Sequence, residues 1–480
     1  MDILDTLPLD LSQSATREAL ETFLEGCQLR AGERGRPQLI SISVESGLLD
    51  PLAVLESIYE SSEPHFYVER PAEGIALAGA EVAVRYDAGS ENRFSGANAF
   101  IAETLDNAIA VGDAALPFFG PHFFCGFTFS EEVPESEPFA PVSLFVPSWQ
   151  VSVKEGRCVA TANALVASDS DVSQIADRIW NANTKFHAFD YQSVDENNER
   201  VEREAWKIET VEEPGGTEGF NEAVASALKE IESGAFEKIV LARAQDLCAN
   251  QSFHPLEILN ALRDRYTDCY SFSFANGRGQ SFIGASPERL VKVDGDWLAT
   301  DALAGSAPRG ASAAEDARMG AALLRSEKDR REQKVVLDSM IRRLQALGVE
   351  CQTAQVPELK RLSNVQHLYN EIVGQVPGAL GILDFVNALH PSPAVGGSPR
   401  EVACSRIPEF ERFDRGLYAG PIGWVNSEGE GEFFVAIRSA LVDGDRARLF
   451  AGVGILEGSV PETELQETNL KFKALLENLL

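Results

Sequence analysis

At 480 residues the chain can bury one large core or two or three ordinary ones. Its 42 Lys+Arg against 74 Asp+Glu give a net charge of −32, which repels nucleic acid and anionic membrane and excludes both as expected partners. Hydrophobic residues at 44%, no apolar run near the roughly 18 residues that span a bilayer, no basic-then-apolar leader and seven scattered cysteines without a C-x-x-C pair describe a reduced, cytoplasmic, globular protein.

Residues 1–205 mix helical and strand-like segments with Pro- and Gly-rich joints, as in FFGPHFFCGFTFSEEVPESEPFAP at 118–141. VDENNERVEREA (194–205) and EEPGGTEG (212–219) read as surface connections. The spacing of Val224, Leu228 and Ile231 in FNEAVASALKEIESG then predicts a helix that stops at Gly234. Next comes EKIVLARAQDL (237–247), a strand with Lys238, Val240 and Ala242 on one face. A lysine in that row is either an edge residue reaching for water or a group held in a pocket to take a proton.

Asp-Gly turns predict hairpins in RLVKVDGDWLAT (289–300) and SALVDGDRARLF (439–450). One helix is predicted through LLRSEKDRREQKVVLDSMIRRLQALG (323–348), with an apolar stripe of Val336, Met340, Leu344 and Leu347. Extended back one turn, the stripe meets Glu332 and Asp329. Either these acids meet something cationic, or the first turn protrudes into water. YAGPIGWV, EFFVAIRSALV and ARLFAGVGIL predict an antiparallel meander of three strands. In the last helix, within SVPETELQETNLKFKALLENLL, Glu464, Glu467 and Lys471 share one face, where an exposed Glu467–Lys471 pair is the plain alternative. Acids at spacing three on two helices, without His or Cys clusters, suit a hard cation such as Mg²⁺. Strands, long helices and meanders without strict βαβ alternation make the fold class α+β, with large antiparallel sheets and flanking helices. There is no internal repeat of 20–50 residues.

Taken in order, EKIVLARA (237–244), FIGASPERL (282–290), ALAGSAPRG (302–310), SEKDRREQ (326–333) and NVQHLYNEIVG (364–374) resemble the chorismate-utilising enzymes. LHPSPAVGGSP (389–399), YAGPIG (418–423), VAIRSAL (435–441), AGVGILEGS (451–459) and ELQETNLK (464–471) continue the resemblance, which covers roughly residues 219–480. It implies an anthranilate synthase component I-like fold. Residues 1–205 are then the N-terminal scaffold of the same intertwined unit, and 206–480 the chorismate-binding catalytic region.

Within the family the resemblance implies the isochorismate synthase branch, of the menaquinone-pathway type, with salicylate synthases as the near alternative. Amine-transferring members carry glutamine in place of Lys238, and some place a nucleophilic lysine where this chain has Ala304. The block LHPSPAVGG points the same way. A non-catalytic chorismate-binding scaffold protein, the alternative of another class, is expected to lack Lys238, Glu288 or the glutamates, and all are present. The resemblance makes Lys238 the base that activates water and Glu288 the acid that protonates the departing hydroxyl. It places Mg²⁺ between Glu332 and Glu467, with Glu464 and Asp329 in support. Arg438 and Tyr418 would grip the enolpyruvyl carboxylate, with Gly452, Gly454 and Lys471 completing the anion cradle. Gly305 and Ser306 would form a wall near the C4 hydroxyl, with Ala304 beside them, and His390 would line the ring, in either a structural or a chemical role. The expected partner is the small molecule chorismate alone. No glutamine amidotransferase subunit is expected, and the chain is expected to be a monomer or a weak homodimer.

Overall fold

The computed structural model describes residues 1–4, 16–89, 92–187, 207–363, 365–378 and 380–479. The acidic connection at 194–205 lies outside the described residues. Two sheets, of 14 and 10 strands, form the framework. Pairing is antiparallel throughout, except that Ala108–Val111 runs parallel to Asp2–Leu4 and to Gln38–Ser46. In the first sheet Pro64–Arg70 pairs with Tyr270–Asn276, and in the second Phe123–Phe127 pairs with Pro421–Val425. Both sheets therefore run unbroken from one side of residue 205 to the other. The α+β class with large antiparallel sheets is the observed one.

Phenylalanine dominates the main core. Phe66 stacks on Phe124 with ring centroids 4.3 Å apart, and Phe272 packs on Phe434 at 4.8 Å. The first of each pair belongs to the first sheet and the second to the other, so the two sheets share one apolar interior.

Two sequence expectations change. The segment 323–348 is not one helix: Ala313–Arg325 ends at Ser326, whose extended backbone starts a new helix, Glu327–Ala346. The Ser326 side chain accepts from the Asp329 backbone N–H, a cap that competes with helix continuation. The predicted meander is likewise divided. Pro421–Val425 and Gly431–Val435 pair in the second sheet, whereas Ser439–Asp443 and Arg446–Leu456 pair in the first. The chain changes sheets at Ala436–Arg438, and Arg438 makes the turn in the left-handed region at φ 54°.

A second crossing lies beside it. Gln280–Ser286 belongs to the first sheet and Arg289–Asp294 to the second, so Pro287 and Glu288 bridge the two. The crossings are stitched together by Ala285 N–H donating to the Arg438 carbonyl at 3.1 Å and Val435 N–H donating to that of Glu288 at 3.0 Å. Two crossings joined in this way bring Glu288 and Arg438 to the same place.

Candidate active site

One pocket is lined from both sheets, both crossings and two helices. From the first sheet come Lys238 and Val240 on one strand and Gly452 and Gly454 on its antiparallel neighbour. Glycine at these two positions is a matter of room. A Cβ at 454 would stand 2.7 Å from Glu332 Oε1 and 2.8 Å from Lys238 Cε, and one at 452 would stand 2.6 Å from the Tyr418 hydroxyl. Lys238 is only 2% exposed. It does not reach out to water; it faces the pocket.

The second sheet contributes Ala304, Gly305, Ser306 and His367. The strand bulges between Ala304 and Ser306, where Gly305 takes φ 69°. Asp329 and Glu332 come from the helix begun at Ser326, and Glu464, Glu467 and Lys471 from the helix Pro461–Leu479. Tyr418, stacked on Phe450 at 4.9 Å, completes the wall with Arg438.

Every site residue expected from sequence lines this pocket except His390. That histidine is buried elsewhere, its Nε2 3.1 Å from the Phe129 carbonyl and its ring edge-on to Phe129. Its place in the core is a structural one, so the expectation that it lines the ring is corrected. The histidine in the pocket is His367, which the sequence reading passed over although it stands in the quoted block NVQHLYNEIVG. Its Nδ1 lies 3.0 Å from Ser306 Oγ and 3.2 Å from the Gly305 carbonyl, and its Nε2 3.4 Å from Arg438 Nη2. Burial first, and the Arg438 cation next, hold its pKa well below 6.5, so the imidazole is neutral. Lys328, in the block SEKDRREQ, lines the pocket as well, where the sequence pattern singles out only the acids Asp329 and Glu332.

Electrostatics sort the remaining groups. Lys238 donates to Glu332 at 2.7 Å, Lys471 to Glu467 at 2.8 Å and Lys328 to Glu464 at 3.1 Å. Burial pushes Glu467 up, but Lys471 outweighs it and leaves that carboxyl below its ordinary range. Asp329 is raised, first by burial and then by the neighbouring Glu332 and Glu467 carboxylates. Among the described residues Arg438 is the pocket cation that meets no carboxylate.

Glu288 is pushed up to about 8, by burial before all else and then by the Asp301 carboxylate. It is 4% exposed, and its carboxyl accepts no hydrogen bond from the described residues. At neutral pH it holds a proton. Because the folded value lies above the unfolded one, the protonated group favours folding below about pH 4.5. That contribution is lost progressively as pH rises to about 8. Glu288→Gln is therefore expected to melt higher than wild type, by a margin that grows between those limits to a few kcal/mol and then levels off. Thermal melts from pH 5 to 9 read it, and a margin independent of pH contradicts it.

Comparison with known proteins points to one family. A family described as chorismate binding enzyme matches residues 22–480. The chain is 34% identical over 367 residues to the isochorismate synthase MenF of Bacillus subtilis, covering 75% of each chain. It is 33% identical over 454 residues to the salicylate biosynthesis isochorismate synthase of Pseudomonas aeruginosa, covering 92% of this chain and 90% of that one. The solved structure of MenF, the menaquinone-specific isochorismate synthase of Escherichia coli, superimposes with a TM-score of 0.75. It covers 95% of this chain and 100% of that chain at 24% identity, a likeness of fold.

Proposed function

The chain belongs to the chorismate binding enzyme family, and from that premise we propose that it is an isochorismate synthase. It would convert chorismate reversibly to isochorismate by adding water at ring C2 and releasing the C4 hydroxyl as water. One observation carries the reading: a buried amine, Lys238, and a buried carboxyl that holds its proton, Glu288, share one pocket. Those are the two proton-transfer groups that the reaction requires. Lys238 takes a proton from the attacking water, and Glu288 gives one to the leaving hydroxyl. Their protonation states exchange, so the reverse reaction can begin at once.

Chorismate carries two carboxylates. Arg438, unmatched by any described carboxylate, takes the enolpyruvyl one, with the Tyr418 phenol beside it; burial keeps that phenol protonated and able to donate. Lys471 spans Glu467 and the Gly452 carbonyl, each at 2.8 Å, and holds the terminal helix against the glycine strand. Walls of Ala304, Ile437 and Val240 exclude water from the ring.

Mg²⁺ belongs to this proposal. Among the described residues no group of three His, Cys, Asp or Glu side chains is arranged as a finished cage for a metal ion. The donor set instead fits a cation that uses one or two carboxylates and takes its other ligands from water and an anionic substrate. Glu332 and Glu467 would hold it, with Glu464 and Asp329 near, and the crowding of charge that raises Asp329 would be relieved. Bound there, Mg²⁺ would neutralise the ring carboxylate and stabilise charge shifting through the diene.

The relatives' names include both menaquinone and salicylate routes. We assign the menaquinone route, on the LHPSPAVGG block, and a cytoplasmic setting. Among the described residues no helix is long and apolar enough to cross a membrane. Incubation with chorismate and Mg²⁺ is expected to yield an equilibrium mixture of chorismate and isochorismate, the same from either side, with little pyruvate. Chromatography reads the mixture. Pyruvate and fluorescent salicylate formed in step with chorismate loss would show a salicylate synthase instead.

A further inference from the structure

Behind Glu288 lies a buried ring of charge that the reaction as described does not use. Asp301, 1% exposed, sits on the strand Trp297–Pro308. Its Oδ1 accepts from Arg289 at 2.7 and 3.2 Å and its Oδ2 from Lys360 at 2.9 Å. Lys360 also donates to the carbonyl of Pro287 at 2.9 Å. Pro287 precedes Glu288 and Arg289 follows it, so one carboxylate ties down both of its chain neighbours.

Resting on the reading of Glu288 as the proton donor, we propose that Asp301 is a positioning residue for it. With Arg289 and Lys360, Asp301 braces the backbone on either side of Glu288 and sets a fixed negative charge against its carboxyl. Asp301 is suited to this because it stays ionised: burial opposes the charge, but Lys360 and Arg289 together hold it below the usual carboxylate range. Its charge is the largest influence on Glu288 after burial, and it acts against the cations Lys360, Lys238 and Lys471. The pocket's other charged and polar groups are Arg438, Lys328, the neutral His367, the Tyr418 phenol and the acids Asp329, Glu332, Glu464 and Glu467, of which Glu332, Glu464 and Glu467 pair with Lys238, Lys328 and Lys471. Without the Asp301 charge, Lys360, Lys238 and Lys471 would draw the ionisation of Glu288 down against its burial, and an ionised Glu288 has no proton to give.

The test uses signs. Asp301→Asn removes a negative charge and is expected to shift the ionisation of Glu288 down by about one pH unit, so that at pH 8.5 turnover falls about tenfold. Lys360→Met removes a cation and is expected to shift it up. The double variant Asp301→Asn/Lys360→Met removes both charges and is expected to return near wild type, which also guards against misfolding from stranded cations. Two readouts apply: the pH profile of kcat, and the infrared carboxyl stretch of Glu288, assigned by subtracting the Glu288→Gln spectrum. Opposite shifts with recovery in the double variant establish the role. Shifts in one direction, or none, overturn it, since a brace of purely structural importance would weaken all three variants alike. If Glu288→Gln keeps more than about a tenth of wild-type turnover, the proton-donor reading itself falls. The infrared titration still judges Asp301 independently of turnover.

Discussion

Lys238→Gln and Glu288→Gln are each expected to lower turnover by about 10²–10⁴-fold while leaving the fold intact. Water at neutral pH is a poor nucleophile and hydroxide a poor leaving group, so each end of the exchange requires its own proton carrier. Glutamine matches glutamate in shape and is a shorter, neutral polar stand-in for lysine, and in neither place does it carry a proton that it can exchange. Lys238 is anchored by a strand paired along its length with Arg446–Leu456, and the replacement changes no backbone bond. Glu288 lies at a crossing held by main-chain bonds from both sides, again independent of its carboxyl. The double variant is expected to be scarcely worse than either single one, because the two groups act in one event. A cooperative melt must accompany the loss in both variants, and in Glu288→Gln it must lie no lower than that of wild type. Either single variant keeping more than about a tenth of wild-type turnover would remove that residue from its role.

Much of this site was legible in the sequence, for reasons that particular residues make plain. Lys238 declared itself by interrupting an apolar row with a charge, and Glu332 by standing on the stripe that Val336 and Met340 continue into the core. Such misplaced charges are visible because burial without a partner is costly. The change of sheet at Ala436–Arg438 was not legible. EFFVAIRSALV carries strand-forming residues throughout, and the left-handed turn at Arg438 is imposed by tertiary pairing of the two crossings. The break at Ser326 was available as a capping residue but was outweighed by the helical pattern on both sides. His390 was expected at the ring and His367 was not singled out, because a histidine inside a quoted motif carries no mark of which way its strand or loop turns. The Asp301 ring escaped notice for a related cause. Asp301, Arg289 and Lys360 sit on three different strands, and only the folded sheet brings their charges together.

Lys238 and a divalent cation are expected to compete for Glu332. In the absence of substrate, Lys238→Gln should bind Mn²⁺, read by electron paramagnetic resonance, about tenfold more tightly than wild type. Glu332→Gln should bind it more weakly, and turnover stopped by EDTA should return with Mg²⁺ in wild type but not in Glu332→Gln. The ground is the 2.7 Å pair of Lys238 with Glu332, in which the lysine is 2% and the glutamate 14% exposed. A buried ammonium deprived of its carboxylate is costly to keep, so a cation that claims Glu332 must either share it or displace the lysine. Removing the lysine removes that cost. Equal or weaker Mn²⁺ affinity in Lys238→Gln would mean that the ion sits clear of Glu332 and leaves the lysine pair undisturbed.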